Sequence, residues 1–355
     1  GRRYTQAQAE ANKYGERATA REIDVGSVEN YDNVLTDVDL VVTCFDLPDD
    51  RFPRACLERS INYVDISAEP DVLSNIEALD DLAREHHTTA LISVGLMPGI
   101  SNLMAKHGVE KFGEAKRVDN VALLGLGEVF GSASANWTIS HYGDRYAVNR
   151  IEINMGEEFG VRTAYRFAFA DQYMIEKTLP IGEAFSWGCY DRVLSTHFIG
   201  LVRILRLGWL FRNPAFRNWL VLVIQKFRFG SDVFVLTSRV TGNLPGQVYQ
   251  SWLRGKGEAK ITALIATESI LKLIQSRPPT GVYHSEQIFS LKTFIPLLSS
   301  EGVNFVESQG CVRKRAPRCE TARDPASSTA PTAAAPARRR SPTWRWGTWW
   351  PRSCT

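Results

Sequence analysis

The first hundred residues alternate at short intervals between helical and strand patterns. Apolar runs such as Leu40-Val41-Val42 are continuous, which is typical of parallel strands that helices cover on both sheet faces. The predicted strands are Ala20 to Asp24, Asp39 to Thr43, Tyr63 to Ile66 and Ala90 to Val94. The predicted helices are Gln6 to Tyr14, Val28 to Leu35, Arg51 to Ser60, Asp71 to His86 and Ile100 to Phe112. This alternation indicates βαβ units around a parallel sheet, the α/β fold class.

From about residue 116 the pattern changes to longer strands mixed with helices, which predicts a second, α+β domain. Its clearest elements are two strands, Asp232 to Thr241 and Gln247 to Gly255, and two helices, Ala259 to Gln275 and one near Ser285 to Leu298. We expect four parts: a first α/β domain (1–115), an α+β domain for substrate binding or dimerisation (116–283), a return segment packing on the first domain (284–309) and a disordered basic tail (310–355). A homodimer is therefore one expectation.

The charge of the chain is divided unevenly. Residues 311–355 contain nine Arg and one Lys against two acidic residues, so the tail carries +8 and the body −5 of the net +3. The acidic body lacks the clustered basic face of a nucleic-acid-binding protein, and nucleic acid is excluded as a partner. The Ala-, Pro-, Ser- and Arg-rich tail cannot bury enough apolar surface to fold. An out-of-frame or mis-spliced extension explains it best, with a functional basic tail as the alternative.

Cysteine and histidine supply few candidates for chemistry. The six cysteines form no CxxC pair, which indicates a reducing compartment and a cytoplasmic protein. Glu85-His86-His87 lacks ligand geometry, because adjacent helical residues point about 100° apart, so no metal site is predicted. His141, with Tyr142 and Asp144, is either an acid/base group in a cleft or a surface histidine.

Several stretches, taken in order, resemble the saccharopine dehydrogenase family. They are Val38 to Cys44, Asn62 to Ser67, Val94-Gly95-Leu96-Met97-Pro98-Gly99-Ile100-Ser101-Asn102, Ala263 to Leu271 and Gly281 to Gln287. The family also includes carboxynorspermidine synthases and trans-acting enoyl reductases. The resemblance covers about residues 1–307 and implies NAD(P)-dependent redox chemistry on a Rossmann-type sheet, with a small-molecule substrate in an interdomain cleft.

The resemblance also implies a set of cofactor-binding residues at the carboxyl ends of the strands, where open α/β sheets bind their ligands. They are Arg2, Asp24, Val25, Cys44, Phe45, Asp65, Ser67 and Gly95. Arg2 would meet the ribose 2′-phosphate of NADP, and its alternative is a solvated terminal arginine. Asp24 and Asp65 could instead cap strand ends or turns.

The sequence departs from the family at the phosphate-binding loop. No G-x-G-x-x-G stands between a first strand and a first helix, where it would bring backbone N–H groups to the pyrophosphate. We therefore expect a truncated dinucleotide-binding domain that lacks two strands, a fragment unable to hold NADP or NAD. A second glycine pattern, from Gly125 to Gly131, is either a phosphate loop or a turn lining the substrate cleft, and Glu128 within it favours the turn.

One segment has an unusual composition. Residues 192–231 contain no acidic residue, but they carry arginines and lysine among Trp, Leu and Phe. Two interpretations remain open: helices lying on an anionic or lipid surface, or a helix pair packed on the second sheet with solvated arginines. The first, which centres on residues 197–228, would make the protein peripheral to a membrane or lipid body. The rival functions are thus a saccharopine dehydrogenase-like oxidoreductase, a non-catalytic lipid-surface protein of the same fold, and a defective gene product without a cellular role. The substrate class is open: saccharopine-like amino acids, polyamine precursors or polyketide-derived lipids.

Overall fold

The fold contains two β-sheets, seen here in a computed structural model that describes residues 2–128, 137–143, 149–227, 230–276 and 278–308. The strands are β1 (Leu40–Thr43), β2 (Asn62–Asp65), β3 (Thr89–Ile92), β4 (Ala115–Leu124), β5 (Arg150–Asn154), β6 (Val161–Arg166), β7 (Ile181–Tyr190), β8 (Val233–Thr241), β9 (Val248–Lys256), β10 (Gly281–His284) and β11 (Asn304–Ser308). The α/β class predicted from the sequence, a parallel sheet followed by an α+β part, is confirmed. The predicted tail, 310–355, lies outside the described residues.

The first sheet has four parallel strands in the order β1-β2-β3-β10. Val41 pairs with Tyr63 and Tyr63 with Ala90, so the apolar runs found in the sequence lie side by side. β10 joins from the far end of the chain, where Val282 pairs with Ala90. Because all four strands run the same way, their carboxyl ends meet at one edge of the sheet.

The second sheet has seven strands in the order β11-β9-β8-β4-β7-β6-β5. Its centre is β4, which pairs in parallel with β7 and antiparallel with β8. The chain that follows β10 returns to this sheet, since β11 pairs with β9. The sheet is therefore mixed. Six of its strands, β4 to β9, precede β10 in the sequence, and β11 follows it.

Helices lie between the strands. The α-helices are α1 (Tyr4–Ala11), α2 (Tyr31–Leu35), α3 (Arg51–Glu58), α4 (Pro70–Glu77), α5 (Asp80–Glu85), α6 (Ser101–Val109), α7 (Asp171–Thr178), α8 (Val193–Ile204), α9 (Pro214–Phe227), α10 (Glu258–Ser276), α11 (Ser285–Ile288) and α12 (Leu291–Ser300). Shorter 3₁₀ turns follow α1 at Asn12–Arg17 and α8 at Leu207–Arg212. In the described part of the chain no helix is both long and apolar enough to cross a membrane.

Two buried clusters hold the first sheet in place. Leu57, Tyr63 and Ile76 belong to the cluster that packs α3 and α4 against one side of the sheet. Val64 and Leu91 belong to a larger cluster that also includes residues of the second sheet, such as Phe234. Neighbouring residues of β2 thus enter different cores, as expected when both faces of a parallel sheet are buried.

One predicted strand is wrong. Ala20 to Asp24 forms no strand; the segment is irregular and ends in a turn. Its Arg21 donates to the carbonyl of Val34, and Ile23 packs on the core beside the first sheet. A strand needs a neighbour to pair with, and no strand of the described residues lies beside this segment. The predicted helix Asp71 to His86 is two helices, α4 and α5.

Candidate functional site

The carboxyl ends of β1, β2 and β3 bring polar and glycine residues to one edge of the first sheet, called here the carboxyl edge. Cys44, Phe45 and Asp46 follow β1, Ser67 and Glu69 follow β2, and Gly95 follows β3. This is the position at which open α/β sheets bind their ligands. The predicted residues at these strand ends are therefore near one another.

A buried hydrogen-bonded group ties the ends of β1 and β2 together. The Thr43 hydroxyl donates to Asp65 Oδ2 at 2.5 Å, and the Tyr63 hydroxyl donates to the same oxygen at 3.0 Å. The Ser67 backbone N–H donates to Asp65 Oδ1 at 2.7 Å. Asp65 is 0% exposed, and burial raises its pKa against the opposing effect of these donors. Its side chain is occupied by the fold and orients the loop that carries Ser67.

The outer layer of the carboxyl edge is acidic. The Ser67 hydroxyl donates to Asp46 Oδ1 at 2.6 Å and accepts the Glu69 backbone N–H at 3.1 Å. Burial raises the pKa of Glu69, the nearby positive charge of His141 opposes that shift, and Asp46 adds to it. A carboxyl group with a raised pKa beside an imidazole is suited to accept or release a proton.

An aromatic cluster faces Glu69. The rings of Trp137 and His141 have centroids 4.6 Å apart, Trp137 lies 5.7 Å from both Phe167 and Phe169, and those two lie 4.5 Å from each other. The Trp137 backbone carbonyl lies 2.9 Å from His141 Nδ1. The buried Trp137 Nε1 has no acceptor within hydrogen-bond distance among the described residues. It is nevertheless close enough to Glu69 to act on that carboxyl group as a donor and to oppose the rise in its pKa.

A narrow pocket of about 370 Å³, including its opening to solvent, lies next to this cluster. It is lined by Leu124, Thr138, Tyr142, Tyr165, Phe167, Phe169, Gly188, Cys189, Tyr190, Thr196, Ile199 and Arg203. The hydroxyls of Tyr142 and Tyr190 are hydrogen-bonded to each other. Burial raises the pKa of Tyr142 to about 12, so this hydroxyl stays protonated. The buried Arg203 donates to the Arg166 carbonyl at 3.0 Å. The lining is mostly aromatic and aliphatic.

The remaining predicted residues, Arg2, Asp24 and Val25, precede the first strand in the chain. Arg2 is exposed just before α1. Asp24 is exposed and accepts the Gly26 backbone N–H at 3.0 Å, the geometry of a turn, and the Val25 carbonyl accepts the Tyr31 hydroxyl at 2.5 Å. Among the described contacts, none joins Arg2 or Asp24 to the carboxyl edge.

The glycines near the site are packed against other protein groups. A Cβ on Gly125 would lie 2.1 Å from the Ser231 carbonyl oxygen, and one on Gly127 would lie 2.4 Å from that of Gly230. Their N–H groups donate to the carbonyls of Val233 and Ser231. These N–H groups are thus engaged within the protein rather than directed at a phosphate. Gly131 lies outside the described residues.

A nicotinamide dinucleotide fits this carboxyl edge only in part. The carboxyl groups of Asp46 and Glu69 suit the hydroxyls of a ribose, whereas the Ser67 hydroxyl is already bonded to both residues. A pyrophosphate requires N–H groups or cations, and the two carboxyl groups would repel it. No group of three or more potential metal ligands comes together in the described part of the chain.

A second network, which the sequence reasoning missed, runs from the buried ends of β3 and β10 to the surface. His284 Nδ1 is 2.8 Å from the Ser93 hydroxyl, and its Nε2 is 3.7 Å from Glu77 Oε1. Lys177 pairs with the other oxygen of Glu77. His284 first, and Lys177 as well, lower the pKa of Glu77 to about 2. These residues come from distant parts of the sequence, and no motif connects them.

Comparison with solved structures places the fold. No family model and no curated protein match the chain. It is similar to apo saccharopine dehydrogenase (L-Glu forming) from Saccharomyces cerevisiae, with 14% identity, a TM-score of 0.57 and coverage of 86% of this chain and 92% of that chain. It is also similar to C. glutamicum DAP dehydrogenase in complex with DAP (13% identity, TM-score 0.40, 79% and 86% covered) and to an engineered D-amino acid dehydrogenase bound to NADP+ (13%, 0.37, 79% and 86%). The resemblance predicted from the sequence is confirmed at the level of the fold.

Proposed function

We propose that the chain is an oxidoreductase of the NAD(P)-dependent dehydrogenase type, whose substrate lies between the carboxyl edge and the aromatic cluster around Trp137. The observation that carries this proposal is the buried Trp137 N–H beside Glu69 and His141, which acts on the Glu69 carboxyl group but has no acceptor within hydrogen-bond distance among the described residues. A buried donor without a partner costs about 1–3 kcal/mol, and a bound ligand oxygen would remove that cost. The fold shared with saccharopine dehydrogenase from Saccharomyces cerevisiae agrees with this chemistry.

Trp137, Glu69 and His141 have different roles in this proposal. Trp137 Nε1 donates a hydrogen bond to a carbonyl or carboxyl oxygen of the substrate and so orients it. Glu69, whose pKa burial raises, and the neighbouring His141 together hold the proton that is gained or lost at the substrate. A nicotinamide cofactor, when bound, supplies or accepts the hydride.

The lining of the site favours an apolar substrate. Phe167 and Phe169 lie near Trp137, and Tyr142 and Tyr190 line the adjacent pocket. Such a surface binds an aromatic or aliphatic group through burial of apolar area. We therefore expect an oxo acid or amino acid with an apolar side chain rather than a polar one.

The proposal includes weak binding of the cofactor. The carboxyl groups of Asp46 and Glu69 stand where a pyrophosphate would approach, and the N–H groups of Gly125 and Gly127 are already bonded within the protein. We expect this chain to hold NADP or NAD poorly, through ribose contacts alone.

The substrate site is tested by calorimetric titration with phenylpyruvate and pyruvate, with saccharopine as a polar comparison. We expect saturable binding of phenylpyruvate and at least about tenfold weaker binding of the other two. Trp137→Phe should weaken phenylpyruvate binding about fivefold to tenfold, the value of one hydrogen bond. Trp209→Phe, which changes an exposed tryptophan outside the site, should leave it unchanged. Tighter binding of saccharopine, or an equal effect of the two substitutions, would refute the assignment.

The cofactor part is tested separately, by following NADPH and NADH fluorescence. The chain should show no saturation below about 1 mM. The double substitution Asp46→Asn/Glu69→Gln should strengthen binding about tenfold by removing two charges, whereas the exposed pair Glu29→Gln/Glu110→Gln should not. Micromolar binding of NADPH or NADH by the unaltered chain would refute the proposal of weak cofactor binding. It would not affect the proposal for the substrate site.

A further inference from the structure

Two helices and the turn between them expose an apolar surface on the outside of the protein. We call it the 193–222 surface; it comprises α8, the 3₁₀ turn Leu207–Arg212 and the first part of α9. Its exposed large apolar side chains are Val193, Leu194, Phe198, Leu201, Ile204, Leu205, Trp209, Trp219 and Leu222. Single exposed apolar residues are normal on a protein, but a contiguous group of this size marks an interaction site.

The apolar side chains of α8 face outward, whereas a surface helix in contact with water normally turns its apolar side chains toward the protein. Leu194, Phe198 and Leu201 are spaced by four and three residues, so they lie on one face, and that face is exposed. The buried residues Thr196 and Arg203 lie on the other face, toward the protein. The sequence left open whether the second sheet covers the apolar face of this helix. The structure shows that this face points outward instead.

The charges around the surface indicate what covers it. No acidic residue occurs between Arg192 and Ser231, and Arg192 and Arg206 are exposed at either end of α8. A partner of complementary chemistry has an apolar layer bordered by negative charge. A second copy of the chain would bring the same arginines together, and their repulsion disfavours it.

We propose that the 193–222 surface docks on an anionic phospholipid bilayer. α8 and α9 lie in the plane of the interface, their leucines and phenylalanines enter the acyl boundary, and the arginines meet the lipid phosphates. Trp209 and Trp219 sit at the level of the headgroups, where amphipathic rings are favoured. The inference stands on this exposed face and does not rest on the proposed function.

The same helix connects the bilayer to the interior. Thr196, Ile199 and Arg203 of α8 line the aromatic pocket described above. A helix is about 10 Å across, so the docked bilayer lies about that far from the pocket. This arrangement would bring an apolar ligand from the membrane close to the site.

The test is sedimentation of the full chain with vesicles of phosphatidylcholine alone and with vesicles containing about 30% phosphatidylserine. We expect binding to the anionic vesicles that falls with added salt. The substitution Leu194→Ser/Phe198→Ser, at residues 82% and 63% exposed, should reduce binding at least about tenfold. The matched control, Val161→Ser/Leu244→Ser, changes residues that are 67% and 64% exposed elsewhere and should have no effect.

A charge variant completes the experiment. Arg192→Gln/Arg206→Asn should reduce binding about 25-fold, since each basic residue near an anionic surface contributes about a factor of five. Asparagine suits position 206 because its backbone is left-handed (φ 56°). Circular dichroism confirms that each variant is folded. The proposal is overturned by absence of binding to anionic vesicles, by equal binding to neutral ones, by an equal loss in the control pair, or by a dimer that Leu194→Ser/Phe198→Ser abolishes.

Discussion

Replacing Glu258 with glutamine is expected to stabilise the protein at pH 8 and to change its stability little at pH 5. Glu258 opens α10, and its Oε2 is buried without a hydrogen-bond partner among the described residues, although the residue as a whole is only partly buried. The carboxyl group of Glu128 accepts the backbone N–H groups of Glu258 and Ala259 at 2.7 and 3.0 Å. Burial first, and the neighbouring Glu128 second, raise the pKa of Glu258 from 4.5 to about 7.

The raised pKa of Glu258 determines whether stability rises or falls with pH. Between pH 4.5 and 7 the folded protein binds more protons at Glu258 than the unfolded chain does, so the free energy of unfolding falls as the pH rises through this window. The full penalty is about 3 kcal/mol at pH 8 and less than about 1 kcal/mol at pH 5. Glutamine removes this penalty but also removes a negative charge from a helix N-terminus, which costs about 0.3–1 kcal/mol. The net gain at pH 8 should be about 2 kcal/mol.

The assay is urea unfolding followed by circular dichroism at both pH values, with the unfolding slope compared between variants. Glu29→Gln serves as the control, because Glu29 is exposed in the first turn of another helix. A gain for Glu258→Gln that is the same at pH 5 and pH 8 would show that ionisation of this group is not its cause. A loss of stability at pH 8 would refute the reasoning altogether.

Two further substitutions test the packing beneath the site. Tyr63→Phe removes one donor to the buried carboxyl group of Asp65 and should lower the free energy of unfolding by about 1–3 kcal/mol. The control is Tyr14→Phe, at an exposed tyrosine, which should leave the free energy of unfolding unchanged. Equal effects of the two substitutions would contradict the role of the Tyr63 hydroxyl. Gly200→Ala places a Cβ 2.2 Å from the Tyr165 hydroxyl and should cost about 1–3 kcal/mol in the same assay. Gly26→Ala, whose Cβ would meet its nearest atom at 3.4 Å, is the control, and an unchanged stability of Gly200→Ala would mean that α8 shifts freely.

Much of the fold was predictable because burial imposes a period on the sequence. The predicted strands Asp232 to Thr241 and Gln247 to Gly255 are found as β8 and β9, each displaced by a single residue at one or both ends. The predicted helix Ala259 to Gln275 is α10 with one more residue at each end. Continuous apolar runs likewise predicted parallel strands, and β2 is buried on both faces. Ala20 to Asp24 has a strand-like composition but no strand beside it in the described residues, and composition alone could not reveal that.

The candidate site was only half predictable. The resemblance pointed to residues at the strand ends, and Cys44, Phe45, Asp65 and Ser67 do lie at one carboxyl edge. It gave no signal for Glu69 beside Trp137, because those two residues are far apart in the sequence and meet only through packing. Asp65 stands at the expected position in the sequence, but its side chain accepts hydrogen bonds from Thr43 and from the Ser67 backbone within the fold.

Local spacing and composition were enough to predict the α/β class, the positions of most helices and strands, and the acid-free basic segment from Arg192 to Ser231. The order of the strands, the partners of the buried carboxyl groups and the direction in which the apolar face of α8 points depend on long-range packing, and they became known only from the folded structure. The spacing of apolar residues in α8 shows that the helix has an apolar face, but not whether the rest of the chain covers that face. That depends on what the rest of the chain packs against, and here it packs against the face that bears Thr196 and Arg203.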